Sequence, residues 1–193
     1  MLALPVDGRP NVKLQAYFRK MRGIRRAKQP PLRWHEIAWA GLGALLGMGA
    51  LTLAARWVFD PLDLPFLIGS FGASAVLIYG VMRSPLAQPR NLLGGHILSA
   101  LVGVTCWKLL GQDVYLAATI SVAAATMLMQ VTHTLHPPGG ATALLAIVGS
   151  EKIHAMGYWY VLLPATLGPL LLLFVALLVN NVSAARQYPD HWF

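Results

Sequence analysis

Hydrophobic positions in this chain neither alternate nor keep to one helical face; they come in long unbroken runs divided by short polar breaks. The first run, about Ile37–Val58, stops at Asp60-Pro61, and the second, Leu64–Met82, contains IGSFGASAVLIYG. A polar connector, RSPLAQPR over 83–90, precedes a third run, Leu92–Leu110, and a fourth follows at Val114–Val131. Thr132, His133 and Thr134 then lead into LHPPGGATALLAIVGS, residues 135–150, and the last run extends from about Tyr158 to Val182. A run of about 20 apolar residues matches the roughly 30 Å hydrocarbon layer as a helix. The pattern predicts an all-α polytopic membrane protein of about six apolar helical segments. The stretch 135–150 differs from the others because its opening breaks a helix. Pro137-Pro138 cannot continue a helix arriving from upstream, and the residue before a proline is pushed towards extended backbone. Proline suits the first turn of a new helix, so a helix is expected to restart there, from Pro137 to Gly149, too short to cross alone.

The run pattern repeats. Gly72-Ala-Ser-Ala-Val-Leu77 returns 68 residues later as Gly140-Ala-Thr-Ala-Leu-Leu145, each copy behind a Gly- or Pro-rich break. The chain thus reads as two three-segment units, 37–110 and 114–182, and an odd number of crossings per unit makes the second an inverted repeat of the first. Residues 34–182 form one transmembrane domain, flanked by a basic segment at 1–33 and a tail at 183–193. In the basic segment Leu14, Tyr17, Phe18 and Met21 share a helical face, which suits an interfacial helix on anionic lipid; a disordered basic tail is the other reading. Gly43 and Gly47, with Ala40 and Ala44 beside them, form a small-residue face for close helix packing.

Composition agrees: 56% of residues are hydrophobic and 11% charged, too few charges to cover a soluble domain. The net charge of +8 would suggest nucleic acid, but nine of the fifteen Lys and Arg residues precede the first run. That asymmetry places the N-terminus in the cytoplasm of a multi-pass protein, expected in a bacterial inner (plasma) membrane, and excludes a nucleic-acid partner. One cysteine, Cys106, allows no intrachain disulfide and no Cys-rich metal site.

No acidic residue falls within a run. Carriers of cations and protons commonly place carboxylates there, so the chemistry must come from elsewhere. What the runs offer is His96, His133 and His136, the hydroxyls Ser70, Ser74, Ser99, Thr132 and Thr142, and backbone N–H groups at two expected helix starts. A helix start carries free N–H groups and partial positive charge, and glycine lets a ligand approach them. Gly69, Ser70 and Gly72 entering from one side, and Pro137, Pro138, Gly139 and Gly140 from the other, would aim two positive ends at one point. Ser74 and Thr142 would add hydroxyls, His136 would tune the charge, and Arg83 and Arg90 would draw anions to the inner mouth or merely anchor topology. A metal or haem pair at His133 and His136 lacks a third ligand, so no cofactor is expected. No nucleophile–base–acid set supports an enzyme.

At GSFGASAVL (69–77), SPLAQPRNLLGGH (84–96) and LHPPGGATALLA (135–146) the chain resembles the HPP family of integral membrane proteins. The resemblance implies four transmembrane helices, fewer than the six segments counted above. It also implies a small-anion transporter, with nitrite as the substrate associated with plastid and cyanobacterial relatives. The expectation is therefore a homo-oligomeric channel or carrier for a small monovalent anion. Two alternatives stand beside it: a scaffold or partner subunit assembled through its small-residue faces, and a histidine-ligated redox protein.

Overall fold

A computed structural model of the chain describes residues 33–56 and 64–193. The expected interfacial helix over Leu14–Met21 and the end of the first run at Val58 lie outside the described residues. Helix α1 is Trp34–Ala55, α2 is Leu64–Ala75, α3 is Pro89–Leu110 and α4 is Val114–Val131. Then come α5, Pro138–Val148, α6, Glu151–Met156, α7, Trp159–Leu162, and α8, Leu167–Val179. A π-helical turn, Val76–Gly80, extends α2, and a single 3₁₀ turn, Pro85–Ala87, lies in the connector.

Four stretches are long and apolar enough to cross a membrane: α1, α3, α4 and α7 with α8 taken together. Two shorter apolar segments, α2 with its π turn and α5, bring the apolar segments to six among the described residues. Their directions follow from contacts at the two ends. Glu36, in the first turn of α1, pairs with Arg186 beyond α8 at 3.2 Å, and Arg186 also donates to Tyr79 O in the π turn at 2.9 Å. The start of α1, the end of α2, the connector and the tail thus share one end. At the opposite end α3 finishes, and there Trp107 stacks on His154 of α6, with ring centroids 3.6 Å apart. The Lys108 ammonium sits 5.6 Å from the centre of the Tyr158 ring. The segment from α5 to α6 therefore runs from the connector side to the far end of α3. At 11 residues α5 covers about 16 Å, half the hydrocarbon thickness. The order long–short–long occurs twice.

The last run is not one helix. Pro164, behind a cis peptide bond, separates α7 from α8. Two prolines, Pro164 and Pro169, stand where a continuous helix was expected; the second is in the first turn of α8, where its missing N–H is harmless.

Packing explains most of the glycines. α3, α4 and α5 pack on one another, as do α1 and α8, and α2 lies against α5. Gly43 and Gly47 of α1 make room for the Tyr79 ring, since a Cβ at Gly47 would fall within 2.7 Å of Tyr79 Cζ. The Tyr79 hydroxyl donates to Leu172 O at 3.0 Å, tying the π turn to α8. Outward-facing side chains are mostly apolar, and exposed aromatics mark both ends: Trp34 and Trp192 at one, Tyr115, Tyr158 and Trp159 at the other. That is the arrangement of an interfacial aromatic belt.

The tail folds back over the connector. Tyr188 Oη donates to Ala87 O at 2.7 Å, and Gln88 Oε1 accepts from Asp190 N at 3.0 Å. The same glutamine donates through Nε2 to Met82 O at 2.9 Å and Ser84 O at 3.0 Å.

Candidate functional site, a buried histidine and hydroxyl chain

Where α2, α3 and α5 meet, five polar side chains touch in series. Ser70 Oγ lies 2.8 Å from Thr142 Oγ1, which lies 2.7 Å from His96 Nδ1. His96 Nε2 lies 2.8 Å from Ser74 Oγ, and Ser74 Oγ lies 2.9 Å from His136 Nε2. His136 Nδ1 ends the series 2.8 Å from Leu86 O, in the 3₁₀ turn of the connector. Ser74, His96 and His136 are wholly enclosed, and Ser70 and Thr142 are 2% exposed. Polar groups buried this deeply would cost several kcal/mol in hydrocarbon if unpartnered; here every ring nitrogen and hydroxyl has a partner.

The local sequence accounts for the placement. Ser70 and Ser74 are four apart on α2, hence on one face. On α5, Thr142 follows Pro138 by four, and Pro138 O, in the first turn of that helix, accepts from Ser70 Oγ at 3.0 Å. Gly94 and Gly95 let α3 receive the loop before α5: a Cβ on Gly95 would strike the His136 side chain, and one on Gly94 would lie 2.9 Å from Thr134 Cβ. The loop is pinned by Asn91 Nδ2 donating to Leu135 O at 2.9 Å and Arg90 Nη2 donating to Thr132 O at 2.9 Å. The two imidazoles approach to 5.1 Å between centroids, and Phe71 lies against His96 at 5.2 Å.

Several expected site residues are thus brought together, but through side chains and not through helix ends. Gly69 and Gly72 are inside α2, whose start is five residues earlier at Leu64-Pro65, so their N–H groups belong to the helical ladder. At α5 Pro137 and Pro138 have no N–H, Gly139 N donates to His136 O at 2.8 Å and Gly140 N to Pro137 O at 3.0 Å. Two opposed, unpaired helix starts are therefore absent, and Gly139 is closed in by Ser99 Oγ and Gly95 O, which its Cβ would meet at 2.7 and 2.8 Å.

His133 stands apart from the chain, with φ of 56°, the left-handed region that few non-glycine residues occupy. It lines a surface cleft of about 490 Å³ with Arg90, Asn91, Gln130 and His191. Pro85 and Leu135 also line this cleft, each adjacent in sequence to one partner of the Leu86–His136 hydrogen bond. Arg83 lies elsewhere, in a cleft of about 570 Å³ with Arg33 and Glu36. Sequence reasoning missed His191, Asn91, the Leu86 carbonyl and Tyr160, whose hydroxyl donates to Thr142 O at 2.8 Å. Only the Asn91 side chain, polar at the start of an apolar helix, left a trace in the sequence.

The model of the HPP transmembrane region matches residues 29–189. A transmembrane protein of Dictyostelium discoideum is 43% identical over 183 residues, 92% of this chain and 63% of that protein. A second from the same organism is 40% identical over 182 residues, 92% of this chain and 57% of its own length. The chain thus spans less than two thirds of these curated relatives, which are described only as transmembrane proteins. No solved structure matches. The GSFGASAVL, GGH and HPPGGAT stretches that build the buried chain all fall inside the matched region, and the protein belongs to the HPP transmembrane family.

Proposed function

We propose that this protein carries a small monovalent anion across a membrane, with nitrite as the candidate that the family resemblance suggests. The observation that supports the reading most is the enclosed set Ser70, Ser74, His96, His136 and Thr142, held where two short apolar segments meet the long helix α3. Intramembrane ionisable groups and broken short helices mark substrate paths. The Arg90, His133 and His191 cleft beside the Leu86–His136 bond is the mouth in this reading, drawing anions by charge. Arg33, Arg83, Arg90 and Arg186 share that end, which is assigned to the cytoplasm of a plasma membrane, with the basic N-terminal segment on anionic lipid. The two three-segment units are read as inverted repeats meeting at α2 and α5, the whole as a homo-oligomer, and the protein as a carrier and not an enzyme.

The test is nitrite flux into liposomes with and without the purified protein. Saturable flux is expected, lowered at least tenfold by His136→Ala, and Arg90→Gln should raise the half-saturating concentration while leaving the maximal rate near its original value. Equal flux in empty and protein-bearing vesicles overturns the reading.

The scaffold alternative has support at the second motif alone, where Gly139 is closed in, while Gly69 and Gly72 meet nothing within 4 Å among the described residues.

A further inference from the structure

The buried chain fits two hydrogen-bond arrangements that differ by one proton. Leu86 O can only accept, so His136 Nδ1 carries a hydrogen in both. With His136 neutral, its Nε2 is a lone pair and takes the Ser74 hydrogen, 2.9 Å away, in place of the longer 3.2 Å contact from Ser74 to Ser70 O. The single Ser74 hydrogen is then spent, so His96 must donate from Nε2 to Ser74 Oγ. His96 Nδ1 is left to accept from Thr142, and Thr142 accepts from Ser70. Every bond points from Ser70 towards His136.

A proton arriving at Ser70 can be passed along without moving a heavy atom. Ser70 keeps it and gives its own hydrogen to Thr142; Thr142 gives its hydrogen to His96 Nδ1; His96 gives up Nε2–H to Ser74; Ser74 gives its hydrogen to His136 Nε2. The product is one extra proton, held as the His136 imidazolium, with every bond reversed. Ser70 now donates to Pro138 O, the 3.0 Å bond that the first arrangement leaves without a hydrogen of its own. His96 ends neutral, as the other tautomer.

We propose that Ser70, Thr142, His96, Ser74 and His136 form a proton relay through the membrane interior, with His136 as the station that stores the proton. Release occurs from Nδ1 once Leu86 O withdraws towards the neighbouring cleft lined by Arg90, His133 and His191. The groups facing the relay are Ser70, Phe71 and Ser74 from α2, Gly95 and Ser99 from α3, Met129 from α4 and Tyr160 from α7. Among the described residues no carboxylate hydrogen-bonds to it, so the two histidines are its only titrating members besides the Tyr160 phenol. The relay gives the anion carrier a proton to move with its substrate, and to that extent rests on that reading.

The measurement is 15N NMR of histidine-labelled full-length protein in lipid bilayers, as pH is lowered. His136 is expected to pass from the Nδ1–H form to the doubly protonated form, and His96, staying neutral, to switch from Nε2–H to Nδ1–H in the same step. Ser74→Ala should uncouple the two, while Thr142→Ser should preserve the switch. A His136 that rests as the Nε2–H tautomer at high pH, before any proton is loaded, or a His96 whose tautomer stays fixed while His136 gains charge, overturns the relay. Nitrite flux measured on the same preparation separates the two claims. The coupled switch without flux removes the carrier and leaves the relay; flux with a fixed His96 removes the relay alone.

Discussion

At the scale of the residue, glycine has opposite meanings in two motifs that look alike. A Cβ at Gly69 or Gly72 would meet nothing within 4 Å among the described residues, whereas one at Gly139 would press on Ser99 Oγ and Gly95 O. Gly69→Ala and Gly72→Ala should therefore leave function intact and raise thermal stability, by up to about 1 kcal/mol each from helix propensity. Gly139→Ala should lower it by about 1–3 kcal/mol through overpacking. Melting of the detergent-solubilised variants checks both signs. Ser70, Ser74, His96, His136 and Thr142 were all legible in the sequence as polar residues inside apolar runs. What could not be read was which of their atoms matter. Gly69–Gly72 suggested a helix start because glycines often mark breaks, yet Pro65 had already supplied one upstream. Pairing across α2, α3 and α5 depends on their relative rotation, which sequence spacing within one helix does not determine.

Among the elements, the π turn is the one that needs outside help. Widening the helix over Val76–Gly80 frees carbonyls that an α-helix would use. Asn180 Nδ2 donates to Ile78 O at 2.9 Å and Arg186 Nη2 to Tyr79 O at 2.9 Å. Arg186 also donates to Asn180 Oδ1 at 2.8 Å, and burial pulls its guanidinium down from the ordinary arginine range while Glu36 opposes that shift. Removing the fork strands several acceptors at once. Arg186→Ala should cost about 1–3 kcal/mol, and Arg186→Lys should recover little of it, because an ammonium lacks the planar geometry that reaches Glu36, Tyr79 and Asn180 together. Unfolding midpoints of the two variants against the parent protein decide this. The break at Pro164 belongs to the same lesson: apolar content predicted a span correctly, and the proline within it, readable in the sequence, marked where the helix stops.

For the whole molecule, six passes place residues on sides that four passes would not. With Cys106→Ser as background, cysteines at Arg83 and Ala184 should react with an impermeant thiol reagent from one face of the membrane. Cysteines at Asp113 and Glu151 should react only from the other. Labelling of the 151 and 184 positions from the same face would mean that α5 and α6 do not traverse. The count of six was available from hydropathy because each break carries proline, glycine or charge. Where the fifth segment leads was not, since 11 residues of α5 are short for a crossing and it takes the Trp107–His154 and Lys108–Tyr158 contacts to locate the far end of α6.

The tail that straps the connector gives the exterior a handle on the interior. Tyr188 and Asp190 hold Ala87 and Gln88, and the preceding carbonyl, Leu86 O, holds the ring of His136. A shift of residues 186–191 would pull on a lever two hydrogen bonds long whose far arm is a sealed imidazole. The sealed core of this membrane protein is therefore coupled to six residues of its tail, with no ligand entering it.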